Sequence, residues 1–148
     1  MLPEFSDILP LNENDYAEIL TVWESSVRAT HFFLKEKEIS FYKPLIEKYA
    51  LPDFELFGIK NQNNRLTGLI GLKNDKIEML FIHPDFFRRG IGKKLTDFAI
   101  NVKNCTKVDV NEENPNAFKF YQHCGFRFVS RNEKDERGKP HPILHLSL

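Results

Sequence analysis

The chain has 148 residues, and its 21 basic and 21 acidic side chains give a formal net charge of zero. A balanced charge provides no general attraction for nucleic acid or for an anionic membrane, so any basic function must be local. No apolar run approaches the roughly 20 residues that a membrane span needs. We therefore expect one domain over residues 1–148, located in the cytoplasm, with Cys105 and Cys124 as reduced thiols.

The first third of the chain predicts one short strand and two helical segments. Residues 5–9 form a largely apolar run that Pro10 should stop, and the polar cluster 12–15 can cap a helix. Apolar residues then recur at helical spacing up to about Val27. A second helical region, 34–49, contains Pro44, which should kink it or split it in two.

The middle of the chain predicts an antiparallel meander. The apolar runs 54–59 and 66–72 flank the asparagine-rich turn 61–64, which is a hairpin signal. A third apolar run, 77–82, follows a polar turn at 73–76. We expect these three runs to pair in order as neighbouring strands.

A basic loop with two glycines follows the third strand and opens a helix. Gly90 and Gly92 let the backbone approach a ligand closely, while Arg88, Arg89 and Lys93 add positive charges. Backbone N–H groups at the helix N-terminus would converge on an anion in the loop. The helix has one apolar stripe, formed by Ile91, Leu95, Phe98, Ala99 and Val102. The segment therefore predicts a diphosphate site.

Two familiar nucleotide-binding patterns do not fit this loop. A dinucleotide fingerprint needs a third glycine where the chain has Leu95. A Walker A loop needs a glycine where the chain has Phe87, and a serine or threonine where it has Lys94. The bound diphosphate must therefore belong to a different kind of ligand.

The last third of the chain predicts strand, helix, strand and strand. Residues 106–110 form the first strand, and the helix after it has Asn114 as N-cap, Pro115 at its first position and Gly125 just beyond its end. Residues 126–130 and 142–148 are the final strands, and the charged segment 135–138 is the turn between them.

Two of these segments resemble the GNAT superfamily of acetyl-coenzyme A-dependent N-acetyltransferases. Residues 87–92 correspond to the family's pyrophosphate loop, [Gln/Arg]-x-x-Gly-x-[Gly/Ala], with Phe87 departing from its first position. The later segment Asn-x-x-Ala-x-x-x-Tyr-x-x-x-Gly-Phe is filled at every named position, by Asn114, Ala117, Tyr121, Gly125 and Phe126. Residues 23–34 and 138–144 further resemble the YjaB-like branch of bacterial members.

The resemblance implies an α/β (α+β) GNAT fold. Such a fold has a mixed, mostly antiparallel central sheet of about six or seven strands with about four flanking helices. In this family a bulge or splay between the two central strands admits the cofactor. We expect a monomer or a homodimer that binds no nucleic acid and no membrane.

The resemblance also implies an activity, which is direct transfer of the acetyl group of acetyl-CoA to a primary amine of a small molecule or peptide. The expected cofactor contacts are the strand Leu80, Phe81 and Ile82 for the pantetheine amides, the loop Arg88, Arg89, Gly90, Ile91, Gly92 and Lys93 for the pyrophosphate, and Asn114 for the pantetheine arm. No metal is expected, because the five histidines lack metal-ligand spacing.

The catalytic candidates are Tyr121, Glu78 and His31. Tyr121 is the candidate general acid, because a phenol with a pKa of about 10 can donate a proton to a thiolate. For the general base the choice between Glu78, on the central strand, and His31, between the first helices, stays open. His83 ends the same strand but lies close to the phosphate loop.

Each candidate also has a purely structural interpretation. Tyr121 lies on an apolar helix face and could be core, Arg88 and Arg89 could be a solvated charge run, and Glu78 could be an ordinary strand carboxylate. At the level of the whole protein, the alternative is a non-catalytic acyl-CoA-binding module that senses or regulates.

Overall fold

The structure is a computed structural model that describes residues 3–30 and 34–148. Within these ranges seven strands and four α-helices follow one another along the chain. They are β1 (Ile8–Pro10), α1 (Tyr16–Thr30), α2 (Glu36–Leu45), β2 (Glu55–Lys60), β3 (Leu66–Lys73), β4 (Lys76–Ile82), α3 (Ile91–Asn101), β5 (Lys107–Asn111), α4 (Pro115–His123), β6 (Arg127–Asn132) and β7 (Ile143–Ser147).

The strands form one sheet in the order β1-β2-β3-β4-β5-β7-β6. The pair β4 and β5 is parallel, and the other neighbouring pairs are antiparallel. The predicted meander is confirmed as β2, β3 and β4, and the sheet is mixed and mostly antiparallel as expected. The crossover from β4 to β5 carries α3, which is how a parallel pair is usually connected.

The parallel pair at the centre of the sheet is very short. Lys76 pairs with Lys107 and Ile77 with Val108, and the ladder ends there. Beyond that point β4 stays paired with β3 up to Ile82, and β5 stays paired with β7. The two central strands therefore diverge and leave an opening in the middle of the sheet.

A β-bulge lies on β4 at the start of this opening. Leu72 pairs with Ile77 and Gly71 with Met79, so Glu78 is an extra residue on β4. Because the side chains of a strand alternate between faces, one extra residue reverses the phase of all that follow. The bulge thus decides which β4 side chains reach each layer of the domain.

The apolar side chains of β4 show this reversal. Ile77 lies in the core beneath α3 and α4, and Leu80 and Ile82 pack against the same core. Met79 and Phe81 pack instead against the opposite core, which contains residues of α1. Strict alternation would have kept residues 77, 79 and 81 together.

Three predicted element boundaries were wrong or needed refinement. The first strand begins at Ile8 and includes Pro10, which was expected to stop it. Pro10 is tolerated because β1 is the edge strand of the sheet, where a ladder hydrogen bond can be absent. Helix α1 continues to Thr30 instead of ending near Val27. Helix α2 ends one residue after Pro44, and a π-helical turn at 46–50 follows it.

The predicted punctuation of α4 is confirmed. The side chain of Asn114 accepts a hydrogen bond from the Ala117 N–H at 3.2 Å, and Pro115 is the first helical residue. Gly125 lies just beyond the helix with a φ of +104°, in a region that residues with a Cβ rarely adopt.

The two cysteines are not bonded to each other. Cys105 is buried before β5, and Cys124 is half-buried at the end of α4. Burial raises the pKa of Cys105 to about 11, so its thiol is protonated at neutral pH.

Among the helices of residues 3–30 and 34–148, none is long and apolar enough to cross a membrane.

The conformation of Gly125 generates a stability prediction. Its added Cβ would lie 3.6 Å from a Leu148 methyl group, an ordinary contact, so Gly125→Ala should cost only the backbone strain of a positive φ. We expect a loss of about 1–2 kcal/mol in the free energy of unfolding, measured by urea denaturation.

Gly92→Ala is the matched control for this prediction. Gly92 lies inside α3 without a positive φ, and its Cβ would lie 3.5 Å from the Phe120 ring, so alanine should be neutral or slightly stabilising. Unfolding curves that coincide for Gly125→Ala and the wild-type protein would contradict the strain.

Candidate functional site

The opening between β4 and β5 is a cavity of about 150 Å³. Its walls are residues 77–81 of β4, residues 108–111 of β5, and Asn114, Ala117 and Tyr121 of the α4 segment. The cavity therefore brings together the strand, the N-cap and the tyrosine that the sequence had marked separately. His31 lies outside the residues that the structure describes.

The predicted pantetheine strand borders this opening. Leu80 and Phe81 line the cavity, and Ile82 ends β4 beside it. These residues pair with β3 on one edge, while the ladder on the edge towards β5 ends at Ile77. An extended ligand carrying amide groups can therefore lie against β4 as an added strand would.

The basic loop has the backbone geometry of an anion site. Gly90 is the N-cap residue of α3, has a φ of +78° and provides no side-chain capping bond, while Arg88 has a φ of +62°. Within the described residues, the backbone N–H groups of residues 88–93 donate no well-aligned hydrogen bond to a backbone carbonyl. Successive N–H groups in such a turn, together with the positive end of the helix dipole, favour a bound phosphate.

The charged side chains of the loop differ in their availability. Arg88 and Arg89 are exposed, and neither forms an ion pair within the described part of the chain. Arg89 lies over the Phe86 ring at 5.4 Å, whereas Lys93 is held by Asp97 at 2.7 Å. The two arginines are therefore the cations that can turn to a phosphate without breaking an ion pair.

His83 stabilises the turn that leads into this loop. Its Nδ1 accepts a hydrogen bond from the Asp85 N–H at 3.1 Å, and its Nε2 lies 3.2 Å from Arg65 Nη2. Arg65 in turn pairs with Asp85 at 3.0 Å. These contacts give His83 a structural role beside the loop.

Tyr121 is both a core residue and a wall of the cavity. It is 7% exposed, and its ring packs edge-on against Phe120 and Phe126 with centroid distances of 5.1 and 5.7 Å. Burial raises the pKa of its phenol well above the ordinary value, so the hydroxyl keeps its proton at neutral pH. Packing against two aromatic rings fixes the ring, which is useful for a proton donor.

Glu78 lies where the cavity meets a second, larger cleft, and it lines both. Its side chain is 25% exposed. Burial raises the pKa of this carboxyl group, and the negative charges of Asp109 and Glu136 act in the same direction, whereas the Lys76 ammonium opposes them. The carboxylate is therefore a stronger base than an exposed glutamate.

The larger cleft has a volume of about 600 Å³ and lies on the side of the sheet away from α3 and α4. On β5, Val108 and Val110 point into the core, so Asp109 between them faces the cleft. The other lining residues are Tyr42 from α2, Lys76, Ile77 and Glu78 from β4, Asn132, Lys134, Asp135, Glu136 and Arg137 from β6 and the loop after it, and Ile143 and His145 from β7.

The loop between β6 and β7 closes one side of the cleft by resting on α2. The guanidinium group of Arg137 lies 4.3 Å from the Phe41 ring and 5.2 Å from the Tyr42 ring. Further along, Nδ1 of His141 lies 2.6 Å from Glu113, and this hydrogen bond raises the pKa of the histidine.

Several lining residues of the cleft were missed by the sequence interpretation. Lys76 lies two positions before Glu78, so strand alternation could have placed both on one face. Asp109 and His145 are neighbours only because β5 pairs with β7, and no local pattern reveals that pairing. In the described ranges no three or more His, Cys, Asp or Glu side chains are arranged so that they could hold a metal ion together.

The chain matches a known family over most of its length. Residues 39–143 match the family described as Acetyltransferase (GNAT) domain. The peptidyl-lysine N-acetyltransferase YjaB of Escherichia coli is 33% identical over 130 residues, which are 88% of each chain.

Solved structures show the same fold. The solution structure of apo-form YjaB from Escherichia coli superposes with a TM-score of 0.85 at 31% identity, covering 95% of both chains. The PaiA N-acetyltransferase of Thermoplasma acidophilum, in complex with coenzyme A, gives a TM-score of 0.73 at 19% identity, covering 95% of this chain and 98% of its own.

The unpaired arginines of the loop generate a binding prediction. Replacing Arg88 and Arg89 with glutamine should weaken coenzyme A binding on the order of tenfold, because each exposed charge contributes about 0.5–1 kcal/mol. The affinity of the variant should also fall less steeply with salt, as measured by titration calorimetry.

The control is Lys119→Gln, which removes an exposed charge from α4. It should leave the affinity unchanged. Equal affinities for the double arginine variant and the wild-type protein would mean that the two arginines are solvated charges only.

Proposed function

The chain belongs to the GNAT superfamily of N-acetyltransferases, and we propose that the amine it acetylates is the side-chain amino group of a lysine in a peptide or protein. The related YjaB of Escherichia coli is a peptidyl-lysine N-acetyltransferase by name, which supports this acceptor. So does the cleft of about 600 Å³ beside the central opening, which can receive a long side chain.

The charge of the cleft favours a single cation over a polyamine. Four carboxylates and three cationic side chains line it, so its net charge is close to zero. Asp109 is moreover held by Lys76 at 2.6 Å. A polyamine with several positive charges would gain little from a cleft whose carboxylates and cations nearly balance, whereas one lysine ammonium needs a single carboxylate at the central opening, and Glu78 lies there.

The residues present fit acetyl-CoA, the acetyl donor used by this fold. The N–H groups of residues 88–93 and the two arginines suit the pyrophosphate, even though Phe87 provides no donor in place of the family's Gln or Arg. The diverging strands suit the pantetheine arm, which would bring the thioester towards Tyr121. Asn114 borders the same path while its side chain caps α4.

Glu78 and Tyr121 divide the proton transfers between them. Glu78 accepts the proton of the acceptor ammonium, directly or through water, and the neutral amine attacks the thioester carbonyl. Tyr121 donates its phenolic proton to the departing sulfur, and the second proton lost from the nitrogen as the amide forms returns to the phenolate, so that the one proton released overall is the one on Glu78. The observation that carries this proposal is that both side chains line the same cavity at the parting of the two central strands.

The non-catalytic alternative is disfavoured by the same site. The family is one of acetyltransferases, and a candidate proton donor, Tyr121, and a candidate proton acceptor, Glu78, line one cavity. A binding module would need the loop and the strand edge but would need neither a proton donor nor a proton acceptor.

The acceptor is tested with synthetic peptides. A peptide with a blocked N-terminus and one lysine should gain one acetyl group in the presence of acetyl-CoA, as measured by mass spectrometry. The same peptide with norleucine in place of lysine should gain none, and spermidine should react more slowly. Faster reaction with spermidine than with lysine peptides would contradict the proposed acceptor.

The role of the phenol is tested by Tyr121→Phe. Removing the proton donor should lower kcat about 100-fold or more, while coenzyme A affinity and thermal stability change little because the ring remains. Tyr49→Phe is the control, since Tyr49 is 62% exposed and lines neither cavity. Equal turnover of Tyr121→Phe and the wild-type protein would remove the general-acid role.

A further inference from the structure

Side chains from three strands form one connected series of charged contacts in the cleft. The ammonium of Lys76 lies 3.7 Å from Glu78 Oε1 and 2.6 Å from Asp109 Oδ2. The other oxygen of Asp109 lies 2.7 Å from His145 Nδ1. One cation is thus shared by two carboxylates, and the second carboxylate is fixed by a histidine.

The sheet register places these groups together. Lys76 is the first residue of β4 and belongs to the two-pair ladder that joins β4 to β5. Asp109 directly follows Val108, the last β5 residue of that ladder. Asp109 is directly opposite His145 in the antiparallel pair of β5 and β7. The contacts therefore lie at the point where the central strands begin to part, next to the bulge that contains Glu78.

The electrostatic surroundings of Glu78 make the shared cation important. Asp109 on β5 and Glu136 after β6 are negative groups facing it, while Lys76 on β4 and Lys73 on β3 are positive. The cleft also contains Lys134, Asp135, Arg137 and His145. Without Lys76, the carboxylates of Glu78 and Asp109 would share a half-buried site with no cation between them, which favours protonation of Glu78.

We propose that Lys76 is a positioning residue for the acetyl transfer: anchored by Asp109, it keeps Glu78 ionised at the junction of the two cavities, where the acceptor ammonium arrives. This inference rests on the proposed function of Glu78 as the base. It gives a role to Lys76, Asp109 and His145, none of which the loop and tyrosine motifs include.

A purely structural role would have different consequences. The Lys76–Asp109 ion pair joins β4 to β5 beside their last paired residues. Its role could therefore be limited to holding the two strands together. In that case Lys76→Met would lower the free energy of unfolding and leave the titration midpoint of Glu78 unchanged. A measurement of the pKa of the Glu78 carboxyl group therefore distinguishes the two roles.

The experiment follows the ¹³C carboxyl signal of Glu78 by NMR across pH, with Glu78→Gln used to assign it. In Lys76→Met the midpoint should rise by about one pH unit, because an opposite charge within about 4 Å has been removed. The pH at which kcat/KM falls to half its maximum on the acidic side should rise by the same amount, since the base is active only above its pKa. Lys76→Arg keeps the charge and should restore both values.

Lys134→Met is the matched control, because it removes a cation from the same cleft without touching the contacts of Glu78. It should leave the midpoint unchanged. An unchanged midpoint in Lys76→Met, or an equal rise in Lys134→Met, would overturn the positioning role.

Failure of the proposed function would look different. If Glu78→Gln keeps wild-type turnover of lysine peptides, the base assignment fails, and the role of Lys76 in the reaction fails with it. If Glu78→Gln is inactive but the midpoint does not move in Lys76→Met, only the positioning role fails.

Discussion

The parting of β4 and β5 is the constraint on which the rest of the site depends. Two strands at the centre of a sheet normally satisfy each other's backbone groups along their whole length. Here the ladder ends after two residue pairs, so the facing edges border a cavity that can accept the amides of a ligand. Helix α3 follows one of these strands and α4 follows the other, and because the two strands are parallel both helices begin beyond the same edge of the sheet.

The bulge at Glu78 brings a carboxyl group to this opening. An extra residue reverses the alternation of β4, so its apolar side chains supply two cores while Glu78 lies at the junction of the cavity and the cleft. Bulges often occur where a side chain must be redirected next to an active site. Burial and the neighbouring carboxylates raise the pKa of Glu78, and the Lys76 ammonium, held by Asp109, limits that rise.

The features that the sequence predicted well are those that depend on a few adjacent residues. The N-cap at Asn114, the positive φ of Gly125 and the asparagine turn before β3 are local, so their residue types indicate them directly. The extension of α1 to Thr30 and the inclusion of Pro10 in β1 were missed, because they depend on packing and on the edge position of a strand. The catalytic roles of Tyr121, Glu78 and His31 stay predictions.

The sequence by itself determined the family and the order of the elements, because these are properties of local spacing, and it predicts the anion loop on the same basis. Only the tertiary structure decided what meets at the site. Strand alternation placed Lys76 beside Glu78, but the β5–β7 register brought Asp109 opposite His145, and the bulge set Glu78 between cavity and cleft. These arrangements depend on contacts between residues far apart in the chain, where hydrogen-bond register and burial decide and local residue types do not.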